Sequence, residues 1–311
     1  MTNKTRTIRI GTRGSPLALA QARAVAEMVG RAHPGRACEI VPITTKGDRM
    51  TRVALWKVGG KGLFVQEIED ALLGGRIDLA VHSMKDMPQD IADGLSIPAV
   101  PKREDVRDVI VTRTPIDDIG ELPVGAVVGT SSLRRRAELM RIRPDLSTTN
   151  LRGNVGTRLA RLADGACGAL IVAAAGLRRL GIDDQPCLFL PPETFVPAAG
   201  QGALAVEVRA GEEGLLGTVD DPSTRCEVFA ERSFVATLGA SCHSAVGAYA
   251  RAEGDRLVLI GRILSPDGTK MIEGRREGDR RRWDTIGRDL GMDLLDRGAG
   301  AILSDSCTDD R

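Results

Sequence analysis

The strongest constraint in this sequence is a repeated unit: a short apolar segment, a turn rich in glycine and hydroxyl residues, then a run with helical spacing. Ile8 and Ile10 alternate with polar residues, and Gly11-Thr12-Arg13-Gly14-Ser15-Pro16 turns the chain. Leu19, Ala22, Val25, Ala26 and Val29 then recur on one helical face. Ser15 is a good N-cap, and Pro16 suits a first helical turn. Residues 39–44 read as a second strand. Gly59-Gly60-Lys61-Gly62 reads as a loop feeding a helix over 64–73, and Leu79-Ala80-Val81 as a buried strand ending in His82-Ser83-Met84-Lys85-Asp86. The design recurs further on, with strands over 109–112 and 126–129 and a cap at Thr130-Ser131-Ser132 before an arginine-rich helix. Asn150-Leu151-Arg152-Gly153-Asn154 opens a helix carrying Arg158, and 169–173 is another core strand. Such βα repeats imply parallel sheets covered by helices, with ligands bound outside the carboxyl ends of the strands.

At 311 residues the chain suits two or three domains, each large enough for its own core. Pro98 and Pro101 mark one boundary, and Pro191, Pro192 and Pro197 another. A strand pattern over 204–208 implies that the chain then returns to the first domain. The expected division is therefore 1–100 with 200–219, and 101–199, joined by two crossings that form a hinge. After Asp220-Asp221-Pro222 the pattern changes to a helix over 224–238 and a meander over 246–251, 256–264 and 271–275, turned by Ser265-Pro266-Asp267-Gly268. A last helix over 283–296 completes a small α+β third domain, 220–311.

Charge narrows the function. The net charge is +1, yet 36 of the 43 cations are arginine. Base composition of the coding sequence accounts for that ratio but not for clustering. Between Thr130 and Arg161 eight arginines face only Glu138 and Asp145. Planar forked donors favour carboxylates or phosphates. An aromatic content of 3% argues against a stacking platform for nucleic acid. No apolar run approaches the ~20 residues of a membrane span. The first six residues lack the apolar stretch of a secretory leader, so a cytoplasmic chain is expected. Six scattered cysteines and three histidines offer no metal-ligand spacing, and no metal site is expected.

Three turns repeat one anion-binding design at successive strand ends: Arg13 with Ser15, Thr130 to Arg135, and Leu151 to Arg158. Each combines helix N–H groups with guanidinium groups. Lys57 and Lys61 flank a glycine loop that could cover such a cleft, although no P-loop spacing is present. In His82-Ser83-Met84-Lys85-Asp86-Met87-Pro88 a single carboxylate, Asp86, would be the odd charge in an arginine-lined cleft. There it could move a proton or stabilise a cation. His82 is the alternative base, though a packed strand-end histidine is the simpler reading. Gly239-Ala240-Ser241-Cys242-His243 places one cysteine among polar loop neighbours, which favours an accessible nucleophile over a buried structural thiol. A non-catalytic two-lobed anion-binding module is the competing function class.

These stretches together resemble the porphobilinogen deaminase family over almost the whole chain. The segments that carry the resemblance are GTRGSPLALAQA, KVGGKGLF, IDLAVHSMKDMP, GTSSLRRRAEL, LRGNVGTRLARL, AAAGLRRLG, PAAGQGALAVEVR and AERSFVATLGASC. The resemblance implies an α/β fold with two lobes like those of periplasmic binding proteins, an active site between them, and a small α+β C-terminal domain. It implies hydroxymethylbilane synthase activity: four porphobilinogen units condensed head to tail on a dipyrromethane primer, with ammonia lost and water releasing the tetrapyrrole. By motif match the primer's thioether falls on Cys242 and the catalytic carboxylate on Asp86. Cofactor contacts fall on Ser83, Lys85, Asp86, Thr130, Ser132, Arg134, Arg135 and Arg158. Substrate contacts fall on Arg13, Ser15, Phe64, Arg152, Arg158 and Arg179. A monomer that hands its product to uroporphyrinogen-III synthase is also implied. The loop around Cys242 departs from the family at Ala240, where glycine is usual, and at Ser244-Ala245, which replace a hydrophobic-proline pair. Without that proline the loop is freer.

Overall fold

The computed structural model describes residues 7–49, 65–216, 218–240 and 244–305. Along the chain the first elements are β1 (Ile8–Arg13), α1 (Pro16–Ala32), β2 (Cys38–Ile43), α2 (Lys46–Arg49), α3 (Gln66–Leu73), β3 (Leu79–Ser83) and β4 (Leu95–Ala99). There follow β5 (Asp108–Thr112), β6 (Val127–Gly129), α4 (Leu133–Ile142), β7 (Ser147–Thr149), α5 (Val155–Ala163), β8 (Ala169–Ala173), α6 (Ala174–Arg179) and β9 (Cys187–Phe189). The remainder is β10 (Leu204–Arg209), α7 (Pro222–Thr237), β11 (Val246–Glu253), β12 (Arg256–Leu264), β13 (Met271–Asp279), α8 (Trp283–Asp296) and α9 (Ala299–Asp305).

The chain forms two compact units, one of residues 1–104 and 203–225 and the other of 105–202 and 226–311. The first holds a five-stranded sheet in the order β2-β1-β3-β10-β4. Its apolar layer, Ile8, Ile10, Leu79, Val81, Leu204 and Val206, packs against Ala22, Val25 and Val29 of α1. The opposite layer packs Ala80 against Ile68, Ala71 and Leu72 of α3. The second unit repeats the plan as β7-β6-β8-β5-β9, alongside a three-stranded antiparallel sheet, β11-β12-β13. Helices α7, α8 and α9 cover that smaller sheet through Phe234, Ile286, Leu290 and Ile302. Gly261 in β12 lets the helix approach: a Cβ there would stand 2.4 Å from the Phe234 ring.

The parallel sheets expected from the βα repeats are in fact mixed. In the first unit β10, the strand that returns from the second, runs antiparallel to both β3 and β4. In the second unit β5, the strand that arrives from the first, runs antiparallel to both β8 and β9. Alternation of apolar residues is the same in either direction, so periodicity does not reveal this reversal. Pro98 lies inside β4 rather than at a boundary. β4 is an edge strand, where a missing N–H is tolerated.

Within the second unit, β12 is tied to α4 by a buried ion pair. Arg262 Nη1 donates to both oxygens of Glu138 at 2.9 Å and to Thr194 O at 2.9 Å. Val196 N also donates to Glu138, at 3.1 Å. The Glu138 side chain is 0% exposed and that of Arg262 is 5%. Arg262 Nε also donates to Glu273 Oε2 at 2.6 Å, so loss of Glu138 leaves Arg262 one carboxylate partner but removes the buried one and the acceptor of Val196 N. Glu138→Ala is therefore expected to lower unfolding free energy by about 1.5–3 kcal/mol, the scale of lost charged hydrogen bonds rather than of a stranded ion. A urea midpoint equal to that of the unaltered protein would contradict this.

Candidate functional site

In the first unit the expected residues gather at the carboxyl ends of β1 and β3. Ser15 caps α1, accepting from Ala18 N at 3.2 Å. β3 runs into a single 3-10 turn, Met84–Asp86, which leaves Asp86 exposed and Lys85 half-buried. Met84 N donates to Ala203 O at 3.0 Å, so the residue before β10 holds the start of that turn. Among the described residues no hydrogen bond or ion pair ties down the Asp86 carboxylate. Asp86, Ser83, His82, Arg13, Ser15, Thr12 and Gln21 line one cavity of about 80 Å³. Gln21 is buried and donates through Nε2 to Ser83 Oγ at 2.9 Å, which fixes that hydroxyl.

Arg13 is not a bare cation beside Ser15. Its Nε donates to Asp48 Oδ1 at 3.1 Å, and Asp48 also accepts from Thr45 Oγ1 at 2.8 Å. Burial alone would raise the Asp48 carboxyl, but the bonds from Arg13 and Thr45 outweigh it and hold the group below the usual carboxylate range. His82 is buried and packed, with Nε2 3.3 Å from Glu207 Oε2. It is thus packed at the end of β3, and it also lines the cavity.

The second unit gathers the hydroxyls and arginines. Ser132 caps α4 and accepts from Arg135 N at 3.4 Å, while the buried Thr130 accepts from Ser132 N at 3.2 Å. Arg134 and Arg135 point inward to share one fully buried carboxylate. Arg134 Nη2 lies 2.8 Å from Asp108 Oδ2, and Arg135 Nε donates to Asp108 Oδ1 at 2.9 Å. Gln201 Nε2 also donates to Asp108 Oδ1, at 3.0 Å. Two guanidinium groups against one carboxylate leave an uncompensated positive charge. Burial pushes Arg135 below the usual guanidinium value, and the neighbouring Arg134 charge adds to that. Arg158, half-buried on α5, donates to Gly153 O at 2.8 Å and has no acidic partner among the described residues. Burial and the Arg135 charge push it below its usual value as well. Arg179 donates to Gly202 O at 2.6 Å, and Arg152 is half-buried.

Part of the arginine excess seen in the sequence is structural. Arg143 donates to Ile119 O at 2.6 Å and pairs with Asp145 at 2.6 Å, and Arg141 pairs with Glu138 at 3.3 Å. Asp108, Gln201, Asp48 and Gln21 were missed from sequence. Each is a plain polar residue whose partner lies far along the chain or across a helix. Phe64, Cys242, Lys57 and Lys61 lie outside the described residues.

These features define an anion-handling α/β protein. In each unit, capped helix N-termini and guanidinium groups collect at strand ends, and one unit adds an exposed carboxylate on a fixed turn. Comparison with known proteins narrows this class. A sequence model described as "Porphobilinogen deaminase, dipyromethane cofactor binding domain" matches residues 8–216, and "Porphobilinogen deaminase, C-terminal domain" matches 225–296. A porphobilinogen deaminase of Syntrophobacter fumaroxidans is 48% identical over 303 residues, 96% of this chain and 98% of the relative. One from Nitrobacter winogradskyi is 46% identical over 294 residues, 93% of this chain and 92% of the relative. Among solved structures, the second substrate binding domain of a putative amino acid ABC transporter from Streptococcus pneumoniae is similar with a TM-score of 0.43 and 12% identity. It covers 68% of this chain and 90% of its own. The chain belongs to the porphobilinogen deaminase family.

The residues present fit the carboxylate-bearing dipyrromethane group of that family. Arg134 Nε is a buried donor without a partner among the described residues, and the Arg134-Arg135-Asp108 cluster carries one positive charge in excess. Arg158 adds a further guanidinium group with no acidic partner among the described residues.

The Arg13–Asp48 pair gives a pH-dependent expectation. A carboxylate held low in the folded state stabilises above its unfolded pKa of about 3.9, and that contribution is lost as pH falls through the lower folded value. Both side chains keep about a quarter of their exposure, so solvent screening limits the effect to roughly 1 kcal/mol or less. Asp48→Asn is expected to lower thermal stability at neutral pH, and its difference from the unaltered protein should shrink as pH falls below about 3.9. Equal melting curves at pH 7 would contradict it.

Proposed function

We propose that Asp86 is the catalytic carboxylate of this chain and that the second unit's arginines and hydroxyls hold its polyanionic ligands. The reaction is the family's own. The chain is a transferase of tetrapyrrole biosynthesis that condenses four porphobilinogen units head to tail, with loss of ammonia, on a dipyrromethane primer. When bound, that group supplies the pyrrole carbon to which the first unit is joined. The competing reading as a non-catalytic anion-binding module is not favoured, because both family models match.

What the chain contributes is charge and position. Each porphobilinogen brings two carboxylates, so the ligand grows steadily more anionic. The excess positive charge around Arg134, Arg135 and Arg158 suits that load, and planar forks pair carboxylates two bonds at a time. Thr130, Ser132 and the α4 N-terminus add hydroxyl and N–H donors, while Arg152 and Arg179 extend the set. In the first unit Arg13, Ser15, Ser83 and Lys85 surround the cavity and turn where Asp86 sits. An exposed carboxylate at a rigid turn can accept and return protons and can stabilise positive charge on a pyrrole nitrogen. The observation that carries the assignment is this placement of Asp86: last in its turn, open to the cavity and without a cationic partner among the described residues.

We assign primer attachment to Cys242. Burial pushes the Cys38, Cys167, Cys187 and Cys226 thiols up, which makes each a poor nucleophile. Phe64 beside the incoming pyrrole belongs to the same proposal. So does a third domain, residues 220–311 with their three-stranded sheet, that carries Cys242. Monomeric action in the cytoplasm and hand-off of the product to a uroporphyrinogen-III synthase complete it. No helix among the described residues is long and apolar enough to cross a membrane.

Asp86→Asn keeps volume and most hydrogen bonds but deletes the charge. Turnover on cofactor-loaded enzyme is expected to fall by roughly 10²–10⁴-fold, with porphobilinogen binding far less affected. Asp86→Glu restores the charge on a longer arm and should fall between the two, since displacement by about 1 Å can itself cost 10²-fold. Near-normal turnover in loaded Asp86→Asn would overturn the assignment.

A further inference from the structure

The face of the first sheet that packs against α3 carries a buried acid that the reading above does not use. Glu207 lies on β10 directly opposite Ala80 of β3, and Ala205 lies opposite His82. Successive residues of a strand alternate between faces, so Glu207 and His82 share the face toward α3. Beside it lie apolar residues, for Ala80 of the sheet meets Ile68, Ala71 and Leu72 of α3. The Glu207 side chain is 0% exposed, and neither carboxylate oxygen has a well-directed hydrogen bond. His82 Nε2 stands 3.3 Å from Oε2, on a ring that is itself 4% exposed, and among the described residues it too has no well-directed hydrogen bond.

Other charges nearby do not satisfy Glu207. Arg209, on the same strand, donates instead to Ile77 O at 2.8 Å and to Glu212 at 2.6 Å. Glu69 of α3 is a second acid: burial raises its carboxyl, the Glu207 charge raises it further, and only His82 and the Ala92 N–H act against that. An acid so placed is a poor stabiliser, because an apolar side chain of the same volume is commonly neutral or better at such a position. What the pair does accomplish is geometric. His82 lines the cavity with Asp86, and it sits two residues before the turn that carries Asp86.

We propose that Glu207 is a positioning residue: it accepts the Nε2–H of His82, fixing that ring and the end of β3 so that Asp86 is held in register with the cavity. The proposal rests on the assignment of Asp86 to the reaction. A normal rate in Asp86→Asn would remove that assignment, whereas the nitrogen signal of His82 reports on the pair by itself.

Two measurements test it. The chain has three histidines, so the imidazole nitrogen resonances of His82 can be assigned by substitution. In the unaltered protein Nε2 is expected to be protonated, and an unprotonated Nε2 would overturn the proposal whether or not any variant folds. For the second, Glu207→Met removes charge and acceptor together, while Glu207→Gln keeps an acceptor oxygen. On cofactor-loaded protein with unchanged melting, kcat is expected to fall about tenfold in Glu207→Met with KM within about twofold, and Glu207→Gln should lie between that variant and the unaltered enzyme. Full kcat in folded, loaded Glu207→Met, or an effect confined to KM, would overturn the proposal.

Discussion

Two arginines and one carboxylate, all buried, set the character of the second unit. Asp108 opens β5, the strand that arrives from the first unit, and Arg134 and Arg135 begin α4. Their union fixes a helix N-terminus against a central strand and leaves one positive charge in excess within the cluster. A buried charge without compensation is costly, so such a cluster favours any state in which an anion arrives. In the proposed function the polyanionic ligand of the family supplies that compensation. The same residues thus brace the fold as well as carrying the recognition role proposed for them, and sequence reading alone saw only the second.

The first unit solves the complementary problem of holding a carboxylate open. Its sheet brings β1 and β3 side by side, with β10 clamping the far edge of β3 as far as Met84. Asp86 follows on one tight turn, exposed, while its neighbours are tied down: Ser83 by Gln21, Arg13 by Asp48 and His82 beside Glu207. A reactive group on a rigid support loses little entropy when it acts.

Much of this was legible in the sequence where the determinant was local. The Ser15-Pro16 start of α1, the Ser132 cap of α4 and the short run into Asp86 each announce themselves within a few residues. The mixed direction of both sheets was not legible, because a strand's apolar alternation carries no arrow. β4 was hidden by Pro98, which marks an edge strand and a chain boundary equally well. The partners of the site residues were hidden by distance: Gln201 and Asp108 are 93 residues apart, and Arg13 and Asp48 are 35 apart. An arginine count also cannot separate guanidinium groups paired with acids, such as Arg143, from those with no acidic partner among the described residues, such as Arg158.

The central claim is that this chain carries its own primer on one cysteine. Intact mass of natively purified protein, followed by peptide mapping, tests it most directly. The account predicts a mass excess equal to two linked pyrrole units, located on the peptide that contains Cys242. A bare polypeptide mass, or an adduct on any of the other five cysteines, would contradict it.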